Sequence, residues 1–182
     1  MLPVASGAQR PYRGIVTTTD SASSASSQHL RPDDADEGFY VAPFPGELIP
    51  LGVTELFVRT AGTPVAAGDS ESEVAVFIHG LGGSSTNWTE LMSLLADNVY
   101  GIAMDLPGFG QSPPPHHGDY KLTAHADIVA QLIRQQVGNR PVHIFGNSMG
   151  GATAVQLAAR HPMLVKSMTL VSPALPELMP RA

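Results

Sequence analysis

Hydrophobic and polar positions indicate an edge hairpin and then a buried strand in the first half of the chain. Two short extended runs occur between residues 47 and 59, and the second, 54–59, alternates as a half-exposed strand does. We therefore expect an antiparallel hairpin at the edge of a sheet. The run at 74–78 is continuously apolar and rich in β-branched residues, which is typical of a strand covered on both faces. It predicts the first central strand.

Helical and extended patterns alternate after residue 78. Apolar residues recur at helical spacing in three segments, and short apolar runs of strand length separate them. The predicted elements are a helix over 87–97, a strand over 99–104, a helix over 122–137, a strand over 142–145, a helix over 152–159 and a strand over 167–172. Strands separated by helices of this length form a parallel sheet with helices on both faces. The sequence thus predicts an α/β fold with a doubly wound, mostly parallel sheet.

The first 40 residues differ in composition from the rest of the chain. They are rich in Ser, Ala, Thr and Asp, with a serine and alanine run at 21–27 and an acidic run at 33–37. Such a segment buries too little apolar surface to offset the entropy of ordering it. We expect a disordered tail over 1–40 and one globular domain over 41–182. The acidic run is interpreted as a solvated segment rather than a docking motif or metal site.

Net charge and composition exclude several classes of binding partner and catalytic site. The net charge is −6 without a basic cluster, which argues against nucleic acid, and the absence of cysteine excludes thiolate zinc sites and cysteine catalysis. Residues 1–27 lack the apolar core of a signal peptide, and no run of about 18 apolar residues could span a membrane. We expect a cytoplasmic protein with a small-molecule substrate, no membrane span, no cofactor and no metal. His116 and His117 are interpreted as part of an exposed loop rather than as a metal pair.

The hexapeptide at 146–151 follows an apolar run and precedes a helical stretch. A serine on a sharp turn from strand to helix sits in strained backbone, and glycines must flank it where a Cβ would collide with neighbouring chain. Gly146 and Gly150 supply that clearance around Ser148. The turn also aims the serine Oγ out of the sheet and places helix amides beside it. Ser148 is therefore the candidate catalytic nucleophile.

Two more glycine-rich turns follow predicted strands, at 79–83 and at 105–112. Ligands of open α/β sheets collect at the carboxyl ends of the strands, so we expect the three turns to frame one site. Asp105 is expected to fix the turn at Pro107 and Gly108 by accepting hydrogen bonds from nearby backbone amides.

The ordered set of three turns resembles the α/β-hydrolase family. The resemblance runs from the region before His79 through Ser172 and covers the amino-terminal two thirds of such a domain. The elbow sequence Gly-Asn-Ser-Met-Gly-Gly is similar to that of the meta-cleavage-product C–C hydrolases, related esterases and cofactor-free haloperoxidase-like proteins. Epoxide hydrolases and haloalkane dehalogenases carry aspartate at this position, so Ser148 argues against both chemistries.

This resemblance implies a serine hydrolase that forms an acyl-enzyme on Ser148. Its substrate would be a small carbonyl compound, cleaved at an ester-like or C–C bond next to the carbonyl, and water and peroxide both remain open as acyl acceptor. Leu81 and Met149 match the residues whose backbone N–H groups form the oxyanion hole. The residues that the resemblance assigns to structural support of the site are His79, Gly80, Gly82, Gly146 and Gly150. His79 is thus interpreted as a partner of the oxyanion loop and not as the catalytic base.

The histidine and acid that activate the serine follow it in the chain order of this family. After Ser148 the chain contains one histidine, His161, one glutamate, Glu177, and no aspartate. We expect His161 to lie behind the elbow, away from Ser148, which leaves Glu177 as the candidate acid and no candidate histidine. The sequence therefore predicts a truncated hydrolase domain, without its carboxyl-terminal strands and cap, that is inactive or weakly active.

Three interpretations remain open. The chain is a segment of a serine hydrolase, a non-catalytic binding or interaction module on a hydrolase scaffold, or a subunit that receives the missing strands and histidine from another chain. We favour the first, because all three turns keep the glycines and the serine that catalysis requires. The last predicted strand would be an exposed apolar edge, which predicts self-association through it.

Overall fold

The computed structural model describes residues 43–66, 69, 71–115 and 117–175. The tail predicted over 1–40, His116 and Glu177 lie outside these residues. The strands are β1 (Gly46–Leu51), β2 (Thr54–Ala61), β3 (Glu73–Ile78), β4 (Val99–Met104), β5 (Val142–Asn147) and β6 (Val165–Val171). The helices are α1 (Thr89–Leu95), α2 (Leu122–Val137) and α3 (Met149–Arg160), with 3-10 turns at Ser85–Trp88 and Pro162–Leu164.

The six strands form one sheet in the order β1-β2-β4-β3-β5-β6. The first two form the predicted antiparallel edge hairpin, and β2 also runs antiparallel to β4. The pairs β3 with β4, β3 with β5 and β5 with β6 are parallel. The prediction of a mostly parallel sheet with β3 at its centre is therefore confirmed.

Side chains alternate between two cores along β3, which explains its continuous apolar sequence. Val76 and Ile78 belong to the larger core, which also contains residues of α2 and α3 such as Leu132 and Leu157. Phe77 belongs to a smaller core on the other face, together with Trp88, Met92 and Ala103. Both faces of the sheet are thus covered at its centre. At the edge, most residues of β6 are exposed, and self-association through this strand stays a prediction. No helix in the described part of the chain is long and apolar enough to cross a membrane.

The helix predicted over 87–97 begins differently from the prediction. Its first turn is the 3-10 turn at Ser85–Trp88, and the α-helical part is confined to Thr89–Leu95. Ser84 caps this turn: its Oγ accepts from the Thr86 N–H at 3.4 Å, and its own N–H donates to Asn87 Oδ1 at 3.0 Å. These reciprocal bonds fix the chain direction before α1 begins.

Helix α3 packs so closely against the sheet that two positions in the contact, one in β5 and one in α3, have no room for a side chain. A Cβ on Gly150 would overlap the carbonyl oxygen of Ile78 in β3, and a Cβ on Gly146 would lie 2.6 Å from the carbonyl oxygen of Gly150. Both neighbours are backbone atoms and cannot rotate away. The start of α3 is therefore pressed directly against β3 and β5.

One buried polar side chain in α2 has no hydrogen-bond partner in the described part of the chain. His125 is 1% exposed, and neither ring nitrogen is bonded. Its ring lies 6.3 Å from those of Phe109 and Tyr120, centroid to centroid. Burial, and then the neighbouring His79, lower the pKa of His125 against a smaller opposite effect of Asp119. The folded protein therefore holds this imidazole in its neutral form.

We expect Gly150→Ala to lower the free energy of unfolding by about 1–3 kcal/mol or more, because the added methyl group collides with fixed backbone. Gly118→Ala is the control, since a Cβ there meets nothing within 4 Å and the substitution carries only the conformational cost of a positive φ of 64°, which Gly150 in α3 does not have. Urea unfolding of both variants measures the difference. Equal destabilisation by the two substitutions would show that the contact of α3 with β3 is looser than described.

We expect His125→Phe to stabilise the protein, with a larger effect at acidic pH. The unfolded chain binds a proton below the ordinary histidine pKa of 6.5, whereas folded His125, with its lowered pKa, does not. This difference in proton binding has no effect on the free energy of unfolding well above pH 6.5, and it lowers that free energy as the pH falls below 6.5. Removing the imidazole should raise the free energy of unfolding at about pH 5 by roughly 1 kcal/mol more than at about pH 7.5. Parallel pH dependences of wild type and variant in chemical denaturation would contradict this account.

Candidate active site

Ser148 lies between the last residue of β5 and the first residue of α3. Its backbone has φ 51° and ψ −115°, a positive φ that non-glycine residues adopt only where the surrounding structure compels it. The close contact of α3 with the sheet forces the chain to reverse within one residue. Ser148 lines an open cleft of about 460 Å³ together with Asn87, Asn147 and the loop at 80–83.

Three hydrogen bonds hold the backbone of Ser148. Its N–H donates to the carbonyl oxygen of Val171, at the end of β6, at 3.0 Å. Its carbonyl oxygen accepts from the N–H of Ala174 at 3.0 Å and from the N–H of Ala152 at 3.1 Å. The loop after β6 and the first turn of α3 thus offset the strain of the positive φ. The Met149 N–H belongs to the first turn of α3, where amides have no acceptor within the helix.

The loop after β3 faces Ser148 across the cleft. A Cβ added to Gly80 would lie 3.3 Å from the Ser148 Cβ, so glycine permits this approach. The Gly83 N–H donates to the Gly80 carbonyl oxygen at 3.0 Å and closes a turn. Gly82 has a positive φ of 72°, and a Cβ there would meet nothing within 4 Å, so its requirement is conformational.

The peptide between Gly80 and Leu81 has a defined orientation. Its carbonyl oxygen is held by Gly83 and also lies 2.7 Å from His79 Nδ1. Among the described residues all peptide bonds are trans, and in a trans peptide the N–H points opposite to the C=O. The Leu81 N–H therefore points away from the buried imidazole.

His79 is fully buried, and both of its ring nitrogens are engaged. The Leu106 N–H can only donate, so His79 Nε2, at 2.9 Å from it, is the acceptor. The proton must then sit on Nδ1, which donates to the Gly80 carbonyl oxygen. Burial lowers the pKa of His79, against smaller opposing effects of Gly80 and Asp105. This neutral ring links the loop after β3 to the loop after β4 and has no nitrogen left to accept a proton from Ser148.

Asp105 also joins strand-end loops, and one of its two partners was not expected. Its carboxylate accepts from the Ser85 N–H at 2.6 Å and from the Gln111 N–H at 2.8 Å. Gln111 is a nearby amide of the glycine-rich turn at 105–112, as expected, whereas Ser85 precedes β4. The carboxylate thus links the turn after β4 to the loop after β3.

The two carboxyl-terminal candidates are not brought to Ser148. His161 caps the far end of α3, which has 12 residues and is about 18 Å long. There its Nε2 lies 2.8 Å from Asp127 Oδ1. Glu177 lies outside the described residues. Within the described ranges no side chain forms a hydrogen bond with the Ser148 Oγ, and no three His, Asp or Glu residues converge as metal ligands.

Two cleft residues were missed by the sequence reasoning. Asn147 precedes Ser148 directly, so its place beside the candidate nucleophile was a signal in the sequence. Asn87 reaches the cleft because it caps the 3-10 turn with Ser84. Its signal is the Ser-x-x-Asn spacing, which is a variant of the capping box.

Comparisons with known proteins agree with this geometry. Residues 74–182 match the family described as alpha/beta hydrolase fold. "Probable lysophospholipase BODYGUARD 4" of Arabidopsis thaliana is 40% identical over 104 residues, and Lipase 1 of Psychrobacter immobilis is 37% identical over 107 residues. These alignments cover 56% and 59% of this chain but 25% and 33% of the relatives. The chain therefore spans about a quarter to a third of their length.

A solved structure of a membrane phospholipase A, described as a bacterial virulence factor, is also similar. It aligns with a TM-score of 0.63 at 32% identity, over 71% of this chain and 40% of that one. The family match extends over more than half of the chain, and the mostly parallel sheet carries a serine on its strand-to-helix turn. The chain belongs to the α/β-hydrolase fold family.

Proposed function

We propose that this chain carries the nucleophile and the oxyanion-binding part of a serine hydrolase. Ser148 attacks the carbonyl carbon of the substrate and forms an acyl-enzyme, which water then hydrolyses. The observation that carries the proposal is the positive φ of Ser148 at the strand-to-helix turn, held by Val171 and Ala174. A protein that only binds a partner has no physical need for this strained serine.

The oxyanion that forms during the attack would be bound by two backbone amides. The Met149 N–H follows Ser148 directly and lies at the start of α3, where the helix dipole favours negative charge. The Leu81 N–H is the second donor, because the anchored Gly80 carbonyl turns it away from His79. Both donors belong to the backbone, so the exposed side chain of Leu81 is not part of the mechanism.

No side chain in the described ranges hydrogen-bonds the Ser148 Oγ, so no general base is in place beside it. His79 uses both ring nitrogens within the loops, and His161 bonds Asp127 at the far end of α3. His143 bonds Ser167 and Glu73 near the amino-terminal ends of the parallel strands. His125 is buried in the core. Loss of a triad member lowers the rate by several orders of magnitude. We therefore propose that the chain by itself has weak hydrolase activity.

A carboxylic ester is the substrate class that we favour. Lipase 1 and the lysophospholipase relative are named for ester hydrolysis. Cleavage of a C–C bond next to a carbonyl would use the same serine and the same oxyanion donors. The cleft volume of about 460 Å³ is within the usual range for small-molecule sites.

The missing base suggests a chemical-rescue experiment. We expect the 182-residue chain to hydrolyse p-nitrophenyl butyrate slowly, and added imidazole to accelerate this reaction by acting as a diffusible base. The imidazole-dependent rate of wild type should exceed that of Ser148→Ala by about tenfold, less than the roughly 10²–10⁴-fold effect of a positioned base. A sample without protein measures hydrolysis by imidazole alone.

The two parts of the proposal fail in different ways. Equal imidazole-dependent rates in wild type and Ser148→Ala would refute Ser148 as nucleophile. Fast turnover that depends on Ser148 without imidazole would show that a base is present after all, within the chain or in a second copy. Analytical ultracentrifugation of the active sample separates these two sources.

A backbone substitution tests the oxyanion donor. Leu81→Pro removes the N–H group, and losing one oxyanion donor typically costs about 10²-fold, so we expect the imidazole-supported rate to fall to the level of Ser148→Ala. Leu81→Ala keeps the N–H and should react at a rate close to wild type. A similar loss in both variants would assign the effect to the side chain or to the loop conformation. Circular dichroism confirms that the proline variant is folded.

A further inference from the structure

A second group of nucleophilic and titratable side chains lies at the end of the sheet opposite to Ser148. Ser167 Oγ is 2.6 Å from His143 Nδ1, and His143 Nε2 is 2.9 Å from Glu73 Oε2. Lys166 Nζ is 2.6 and 2.7 Å from the two carboxylate oxygens of Glu73. His143 precedes Ser148 by five positions, a distance of about 16 Å along an extended chain. The two groups are therefore spatially independent.

Strand register brings these residues together. His143 in β5 is directly opposite Ser167 in β6, and Ala75 in β3 is opposite His143. Glu73 precedes Ala75 by two residues and therefore projects from the same face of the sheet. The three side chains form a row across neighbouring strands, although Glu73 and His143 are 70 positions apart in the chain.

The hydrogen bonds place a proton on the His143 nitrogen that faces Glu73. The bonds from Lys166 first, and from His143 second, lower the pKa of Glu73, so its carboxylate is ionised and can only accept. His143 Nε2 must then carry a proton. In the neutral imidazole Nδ1 has the lone pair, and the Ser167 hydroxyl donates to it. The order of nucleophile, base and orienting carboxylate is the one that activates a hydroxyl group.

The group is also accessible. Ser167 is exposed, and the side chains of His143 and Glu73 are 29% and 42% exposed. A small reagent can therefore reach the Oγ without a conformational change. Ser167 lies within a strand, however, and lacks the helix amides that flank Ser148, so an acyl group transferred to it has little help to leave.

We propose that Ser167, His143 and Glu73 form a second acyl-accepting site, which takes small activated acyl donors such as aryl esters and retains the acyl group. Ser167 Oγ attacks the ester carbonyl, the new Oγ–C bond forms, and the bond from carbon to the aryl oxygen breaks. The hydroxyl proton passes to His143 Nδ1 and then to the departing aryloxide. The products are an O-acylserine and the phenol, and Glu73 stabilises the transient imidazolium.

Acetylation by p-nitrophenyl acetate tests this site. The Ser148→Ala protein is treated, digested and mapped by mass spectrometry over time, so that the result does not depend on the proposed function of Ser148. Alkaline hydroxylamine removes an ester from Ser167 but leaves an amide on the adjacent Lys166. Ser72 is the matched control within the same molecule, because its hydroxyl bonds the Asp69 carboxylate at 2.5 Å without an imidazole.

We expect hydroxylamine-sensitive acetylation of Ser167 to be at least about tenfold faster than that of Ser72, and His143→Gln to remove most of this difference. Glu73→Gln should also slow it, because the imidazole tautomer is then no longer fixed. Acetylation of Ser167 at the rate of Ser72 would overturn the proposal. This comparison is made within one protein and requires no substitution at Ser167, His143 or Glu73. An unchanged rate in a folded His143→Gln protein would overturn it as well.

Discussion

The contact between the start of α3 and the sheet is the constraint on which the candidate active site depends. Gly146 and Gly150 allow helix and strand backbones to touch, and a single residue must then reverse the chain direction. Ser148 is that residue, and its positive φ costs of order 1–3 kcal/mol. The same geometry exposes its side chain at the strand ends and places the Met149 amide beside it. The backbone strain at Ser148 and the position of its side chain thus have one origin.

Two buried polar side chains make the surrounding loops one unit. His79 joins the loop after β3 to the loop after β4, and Asp105 joins residues 85 and 111. Both side chains are nearly inaccessible to solvent. The two ring nitrogens of His79 and the two carboxylate oxygens of Asp105 all have hydrogen-bond partners. Buried polar groups that are satisfied in this way rigidify their surroundings, because any movement leaves a group unpaired at a cost. The orientation of the Leu81 amide is a consequence of this rigidity.

The sequence predicted the elements and the position of the candidate nucleophile because both depend on local patterns. Alternation, helical periodicity and the glycines around Ser148 are readable within a few residues, and the strands, α2 and the edge hairpin were confirmed. The bond of Asp105 to Ser85 could not be predicted, because Ser85 is 20 positions away and reaches it only through the sheet. The tautomer of His79 depends in the same way on Leu106, 27 positions away. The row of Ser167, His143 and Glu73 needed the strand register, which no local pattern contains.

The bonds from the end of β6 to Ser148 have a consequence for how the site forms. Val171 and Ala174 supply two of the three hydrogen bonds that hold the strained serine, and both follow it by more than 20 residues in the chain. The turn around Ser148 therefore gains two of its three backbone hydrogen bonds only when β6 is paired with β5. A shorter chain that ended before β6 would keep the serine and its flanking glycines but would lack most of the bonds that hold its strained backbone.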